Sequence, residues 1–253
     1  MGDTERGSRL GPGERIALVG LGVTNTAAAR ALVRREHPVV MTDDGPPGPG
    51  EALAGELGSE FVHSPDVAVL AALLADCSYM LPAPGLPESH AAFAAARRTG
   101  TPVISEFDLA ACWDDRDVVA VTGTNGKTTV VTLVADMLRR SGIATEAVGN
   151  LEVPLVAAID DPTPQCFVVE ASSFRLGHSR WFSPKVGTWL NFSPDHLDVH
   201  VDLAAYEAAK ASIWERQGEG DTAIVAGDDP VVASHVPGSG PAVVRFGPVS
   251  YTH

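Results

Sequence analysis

Cysteine is scarce: Cys77, Cys112 and Cys166 are the only three, set far apart with no Cys-x-x-Cys pair. That argues against a disulfide framework and against a cysteine zinc site, and leaves reduced core thiols as the expectation. Positive charge is scarce too, with 18 Lys and Arg against 32 Asp and Glu and a net charge of −14. Nucleic acid and anionic membranes bind clustered basic surfaces, so neither is expected as a partner, and any phosphate site must be local. No apolar run reaches the ~18 residues of a membrane span. Residues Met1 to Glu14 are polar, without the apolar stretch of a signal peptide, so no membrane contact and a cytoplasmic location are expected. What the chain does have is 253 residues, 45% of them apolar, enough for the cores of two domains of ordinary size.

The most informative stretch is Val118 to Arg140. A β-branched run (Val118, Val119, Val121) meets a loop, Gly123-Thr124-Asn125-Gly126-Lys127-Thr128-Thr129, and Val130, Leu133, Val134, Met137 and Leu138 then follow at helical spacing. A strand, a glycine loop and a helix in that order aim unpaired backbone N–H groups and a helix dipole at an anion. Lys127 would supply a point charge for β/γ-phosphates and Thr128 a hydroxyl for Mg²⁺. The strict phosphate-loop pattern has glycine where Val121 stands, so the motif is incomplete although its Gly-Lys-Thr core is intact. The competing reading, a plain turn with an exposed lysine, is opposed by the strand and helix on either side.

Upstream, Met1 to Gly13 reads as a frayed end. Arg15 to Gly20 reads as a buried strand, followed by Leu21, Gly22, Val23, Thr24 and Asn25 and an alanine-rich helix to about Glu36. The glycine pattern Gly20-x-Gly22-x-x-Asn25 lacks its third glycine, so spacing alone is weak evidence for nucleotide binding. A strand from Val39 to Thr42 ends at Asp43 and Asp44, roughly where an acid meets a ribose hydroxyl in dinucleotide folds. Gly45 to Gly50 reads as a loop, its Asp pair otherwise a turn start. Strand and helix signals then alternate through Phe61–His63, Val67–Ala75, Tyr79–Leu81, Ser89–Arg98 and Val103–Ser105, with a stiff turn at Pro82 to Pro87 that contains Gly85. Such alternation predicts a parallel sheet wrapped by helices. The polar segment Cys112 to Asp117 marks the expected division between domain 1–113 and domain 114–253.

Downstream, the strand Phe167 to Glu170 ends on a carboxylate placed to hold Mg²⁺ beside a phosphate loop, or merely to be solvated; Ser172 follows. Val186 to Leu190 is a further strand, leading into Asn191 to His200 with Asp195, His196, Asp198 and His200. His196 and His200 would suit zinc in a helix, but Pro194 indicates a turn and no third soft ligand is evident. His196 is taken as a site residue and His200 as peripheral. A helix is expected from Leu203 to Gln217 carrying Lys210, a type of residue that ordinarily snorkels to the surface. A strand at Thr222 to Ala226, a short helix and a strand at Ala242 to Phe246 follow.

In order along the chain, Gly20-Leu-Gly22, Ala83-Pro-Gly85, Ser105-Glu106-Phe107, Thr122 to Thr128, Gly149-Asn150, Glu170 to Phe174, Asn191 with Asp195 to Asp198, Tyr206 with Ala209-Lys210, and Asp228-Asp229 resemble the Mur ligase family. The resemblance implies a Rossmann-like N-terminal domain and a P-loop-type central domain, both α/β with mainly parallel sheets. It implies ATP and Mg²⁺ as cofactors, and ATP-driven ligation of D-glutamate to UDP-N-acetylmuramoyl-L-alanine through an acyl phosphate. By motif position Lys127, His196 and Lys210 would be catalytic, and Thr128, Glu170, His196 and a carbamylated Lys210 would be the metal ligands. Leu21, Gly22, Val23, Thr24, Asp43, Gly85, Asn150 and Ser172 would contact the UDP substrate. The sequence departs from the family pattern at Asn25, Ala83, Val148, Glu152, Arg175 and Val199, chiefly on the UDP-sugar side. Family members also continue into a third domain, so these residues are expected to be inactive alone, completed by further sequence or a separate C-terminal chain. A degenerate nucleotide- or UDP-sugar-binding paralogue and a different Mur-type ligase are the alternatives.

Overall fold

The structure is a computed structural model and describes residues 10–149, 153–195 and 199–248. In its first half, β1 (Ile16–Val19), α1 (Val23–Arg34), β2 (Val39–Asp43), α2 (Pro47–Leu57), β3 (Glu60–His63), α3 (Val67–Ala75), β4 (Tyr79–Pro82) and α4 (Ala91–Thr99) alternate, and α5 (Glu106–Trp113) follows. The four strands form one parallel sheet in the order β3-β2-β1-β4. In β1, Ile16 and Leu18 face one apolar cluster, while Ala17 and Val19 face another. A strand buried on both faces is a continuous apolar run, as a parallel sheet covered by helices requires.

The second half runs β5 (Asp117–Thr122), α6 (Lys127–Arg140), β6 (Thr145–Gly149), α7 (Leu155–Ala158), β7 (Cys166–Glu170), α8 (Ser173–Leu176), β8 (Val186–Trp189), α9 (Leu203–Ala211), β9 (Thr222–Ala226), α10 (Pro230–Ser234) and β10 (Ala242–Phe246). All six strands are parallel, in the order β10-β9-β8-β5-β7-β6. The strand that feeds the phosphate loop is therefore central, flanked by β7 and β8. Their carboxyl ends surround the loop, the position at which open α/β sheets bind ligands.

Several elements differ from expectation for identifiable reasons. Gly45 to Gly50 is not all loop, because α2 starts at Pro47 with proline at its first position. A first-turn residue has no intrahelical use for its N–H, so the proline costs little there. Val103 makes only a single parallel bridge to Met80 rather than a strand, and Ser105 instead caps α5 through a reciprocal capping box with Asp108. The helix carrying Lys210 stops at Ala211 and tightens into a 3-10 turn over Ser212–Trp214. The edge strand β6 gave no clear sequence signal, since Thr145 to Gly149 mixes polar and small residues.

The two halves are joined through buried polar groups. Asp108 on α5 accepts the backbone N–H groups of Arg180, Trp181 and Phe182 at 2.7–3.0 Å, besides its cap to Ser105 at 3.1 Å. Within the second half, partly buried Arg116 chelates the Asp114 carboxylate and donates to the carbonyls of Ile159, Asp161 and Pro164. Asp108→Ala strands these donors in the interior, so about 3 kcal/mol or more of stability should be lost. The check is a urea unfolding midpoint, with Asp108→Asn expected to lose less.

Candidate nucleotide site

The site begins with backbone. Gly126 stands at φ +83° as the N-terminal cap residue of α6, a left-handed conformation that turns the chain from loop into helix and that an L side chain rarely adopts. With no side-chain cap on this helix, its first N–H groups remain available to an anion. Asn191, just past β8, clasps the loop: its Oδ1 accepts from the N–H groups of Thr124 and Asn125, both at 3.0 Å, and its Nδ2 donates to the Asn125 carbonyl at 3.1 Å. The Thr124 hydroxyl donates to the Ser193 carbonyl at 3.0 Å and lies 3.3 Å from the Tyr206 hydroxyl on α9. The segment after β8 and helix α9 thus fix the loop from two sides.

Lys127 folds back across the loop and donates to the carbonyls of Gly123 and Thr124, both at 3.0 Å. The Thr128 hydroxyl donates to Glu170 Oε2 at 2.7 Å. Glu170 is buried at the end of β7 rather than solvated. A hydroxyl and a carboxylate in contact beside a phosphate loop are the hard oxygen donors that Mg²⁺ takes, with phosphate oxygens and water completing its shell. Among the described residues no group of three or more His, Cys, Asp and Glu converges.

Lys210 overturns the surface reading: it is 1% exposed and donates to the Gly123 carbonyl at 2.8 Å, with its ammonium 4.5 Å from the centre of the Tyr206 ring. Burial, with Lys127 adding repulsion and Asp195 opposing, pulls its pKa down to about 7. Half-neutral near physiological pH, its amine can act as a nucleophile. His200 lies away from the loop, between Glu88 Oε1 at 3.1 Å and the Ser173 hydroxyl at 2.9 Å, as a buried link between the halves. His196 and Asn150 lie outside the described residues.

Of the UDP-contact candidates, Leu21 donates its N–H to Asp43 Oδ2 at 2.5 Å, and Asp43 Oδ1 accepts from Gly45 N–H at 2.6 Å. Gly22 caps α1, Val23 is 71% exposed and Thr24 is buried. Gly85 turns at φ +84° beyond β4, and Ser172 caps α8 by accepting from Arg175 N–H at 3.4 Å. Asn25, where a glycine was expected, donates its side-chain amide to the carbonyls of Gly20 at 2.8 Å and Leu81 at 3.1 Å, so it staples the loop to β4. Gly20 must stay glycine, since a Cβ there would sit 2.8 Å from that of Ala83. Sequence reading named Arg175 only as a departure from the family pattern and gave it no role. Its guanidinium is buried against Glu106 and Thr24.

Fold and loop together define an α/β protein built around a phosphate loop. The model of the Mur ligase middle domain matches residues 121–251. The chain belongs to the Mur ligase family. Similar curated proteins include the UDP-N-acetylmuramoylalanine–D-glutamate ligases of Desulfotalea psychrophila, 40% identical over 85% of the chain and 47% of that protein, and of Frankia casuarinae, 37% identical over 92% of the chain and 49% of that protein. The chain spans about half the length of these relatives. Among solved structures, the UDP-N-acetylmuramate:L-alanyl-gamma-D-glutamyl-meso-diaminopimelate ligase from Neisseria meningitides superposes with a TM-score of 0.58 at 19% identity, covering 93% of this chain and 78% of that one. That likeness concerns the fold.

Lys127→Ala should weaken Mg-ATP binding by at least ~30-fold, because a charged contact to phosphate is worth about 2 kcal/mol. His200→Ala should leave that affinity within ~2-fold while lowering stability, because it breaks the link to Glu88 rather than a ligand contact. Calorimetric titration and thermal unfolding separate the two effects; equal losses of affinity would misplace the site.

Proposed function

We propose that the chain carries the substrate-binding and nucleotide-binding parts of an ATP-dependent ligase that joins D-glutamate to UDP-N-acetylmuramoyl-L-alanine. The observation that carries this reading is the loop itself: Lys127, Thr128 and Glu170 meet at the carboxyl ends of β5 and β7, in a chain 37–40% identical to ligases of that name. We take residues 1–113 as the UDP-substrate domain and 114–253 as the ATP domain. Two separate sheets and the polar link at Asp114 to Arg116 support that division.

In this reading Gly123, Thr124, Asn125, Gly126, Lys127, Thr128 and Thr129 bind the phosphates. Lys127 exchanges its loop carbonyls for β/γ-phosphate oxygens. The L-alanyl carboxylate attacks the γ-phosphorus, ADP leaves and an acyl phosphate forms; the amine of D-glutamate then adds to the acyl carbon, loses its proton and expels phosphate. Thr128 and Glu170, with His196 and a carbamylated Lys210, would hold Mg²⁺, which neutralises charge on the transferring oxygens when bound. A free Lys210 ammonium would repel that cation, whereas a carbamate would attract it. Asn191 keeps the loop in place, and the buried setting of Lys210 and Glu170 limits water. Leu21, Gly22, Val23, Thr24, Asp43, Gly85, Asn150 and Ser172 form the UDP-substrate side. A cytoplasmic location belongs to this reading. No described helix is long and apolar enough to cross a membrane.

Phosphate release from Mg-ATP tests the reading. Release should require both UDP-N-acetylmuramoyl-L-alanine and D-glutamate once the half of the relatives' length that the chain does not span is supplied, as further sequence or as a separate chain. The 253 residues alone should fall far below the ~10 s⁻¹ of an ordinary enzyme, because holding both reactants in position is worth ~7–11 kcal/mol.

The amine of Lys210 gives a second test. Carbamylation joins CO₂ to a neutral amine with loss of a proton, so it is favoured above the pKa of about 7 and opposed below it. With ¹³C-bicarbonate, a carbamate carbon signal should be strong at pH 8, weak at pH 6 and missing in Lys210→Arg. A signal that persists in the variant would assign the carbamate elsewhere.

A further inference from the structure

Arg175 lies at the junction of both ligand sites. Its contacts include Glu106 Oε1 at 3.0 Å, the Thr24 hydroxyl at 2.9 Å and, more loosely, the Ser172 hydroxyl at 3.5 Å. Glu106 in turn accepts the Val156 N–H at 3.0 Å. Both members of the ion pair are buried, and a buried charge pair of this kind is not an efficient source of stability, since an apolar replacement often serves as well. The cluster joins four separate pieces of chain: the first turn of α1, the start of α5, the first turn of α7, and the β7–α8 turn with the start of α8, directly after Glu170.

The direction of these hydrogen bonds matters. A guanidinium only donates, so it occupies the oxygen of Thr24 and forces the hydroxyl proton away from itself. Among the described residues that hydroxyl has no other partner. Ser172 is held the same way by the Arg175 side chain and by the Arg175 N–H. One cation thus presets one hydroxyl from each half as a donor, the polarity that suits an anion. The charge balance points the same way. Arg175 interacts with Glu170 as well as with Glu106; when a cation at Glu170 offsets that carboxylate, the potential around Thr24 becomes more positive.

We propose that Arg175 is a positioning residue that couples the two sites, so that occupation of the Glu170 site by Mg-nucleotide tightens binding of an anionic diphosphate at the loop carrying Thr24. The proposal rests on the reading of that loop as the UDP site. It does not require Arg175 to touch either ligand.

The experiment is calorimetric titration of the chain with UDP, alone and with saturating Mg²⁺ and a non-hydrolysable ATP analogue, with uridine as a phosphate-free control. Wild type should bind UDP at least ~5-fold more tightly with nucleotide present, the scale of ordinary coupling between sites, and uridine should show no such gain. Arg175→Gln should bind both ligands with the gain lost. Because it leaves Glu106 buried and unpaired, Glu106→Gln/Arg175→Gln is the companion variant, neutral at both positions and of nearly unchanged volume; it too should lose the gain. Arg175→Lys should recover part of it, since an ammonium keeps the charge but not the fork. A full gain in both neutral variants overturns the proposal, as does wild type binding both ligands independently, and in either case the assigned sites stand. Failure of wild type to bind UDP at all overturns the UDP reading and the proposal with it.

Discussion

Two ammonium groups converge on one carbonyl. Lys127 and Lys210 both donate to the oxygen of Gly123, at 3.0 and 2.8 Å, so they lie within about 6 Å of each other and repel by roughly 3 kcal/mol at an effective dielectric of ~20. The fold sustains this because Gly123 belongs to a loop fixed from outside by Asn191 and Ser193. The strain is electrostatic and has a defined relief: an anion at the loop, a proton lost from Lys210, or a negative group added to it. Each of these has a place in the proposed function, and burial first, with Lys127 second, pulls the Lys210 pKa down to about 7.

From that loop, order extends outward through apolar packing and polar links together. Each sheet has clusters on its two faces, and two of these cross between the halves: Phe107 and Ala110 pack into the core of the second sheet and Val156 into that of the first. Between the halves run Asp108 to the segment Arg180–Phe182, Arg175 to Glu106 and Thr24, and His200 to Glu88. Directional links of this sort fix register as well as distance, which an apolar contact does not.

Periodicity revealed the strands that are buried on both faces, β1, β5 and β7, because a run such as Phe167 to Val169 admits few alternatives. It did not reveal β6, whose edge position asks less of its side chains, nor the start of α2, where proline reads as a loop until the helix geometry shows its first turn tolerates it. In the site, Lys127 and Thr128 were legible from spacing, and Glu170 from its place at a strand end. Lys210 was not legible from the helix pattern, which suggested a surface side chain; only the family resemblance gave it a role, and burial now gives it a cause. Arg175 stood out as a departure from the family pattern, but its contacts were not legible because its partners, Thr24 and Glu106, are 151 and 69 positions away in the chain, and such pairings arise only from the packing of one half on the other.

The central claim, that the loop from Gly123 to Thr129 is a nucleotide-phosphate site with Glu170 as its metal-facing acid, is tested most directly by backbone amide NMR. On addition of Mg²⁺ and a non-hydrolysable ATP analogue, the amides of 123–129, with those of Glu170 and Asn191, should shift together in a saturable way, and should shift less with the analogue in excess EDTA. Shifts confined to the loop at 20–24, or no shifts at the phosphate loop at saturating nucleotide, would contradict the account.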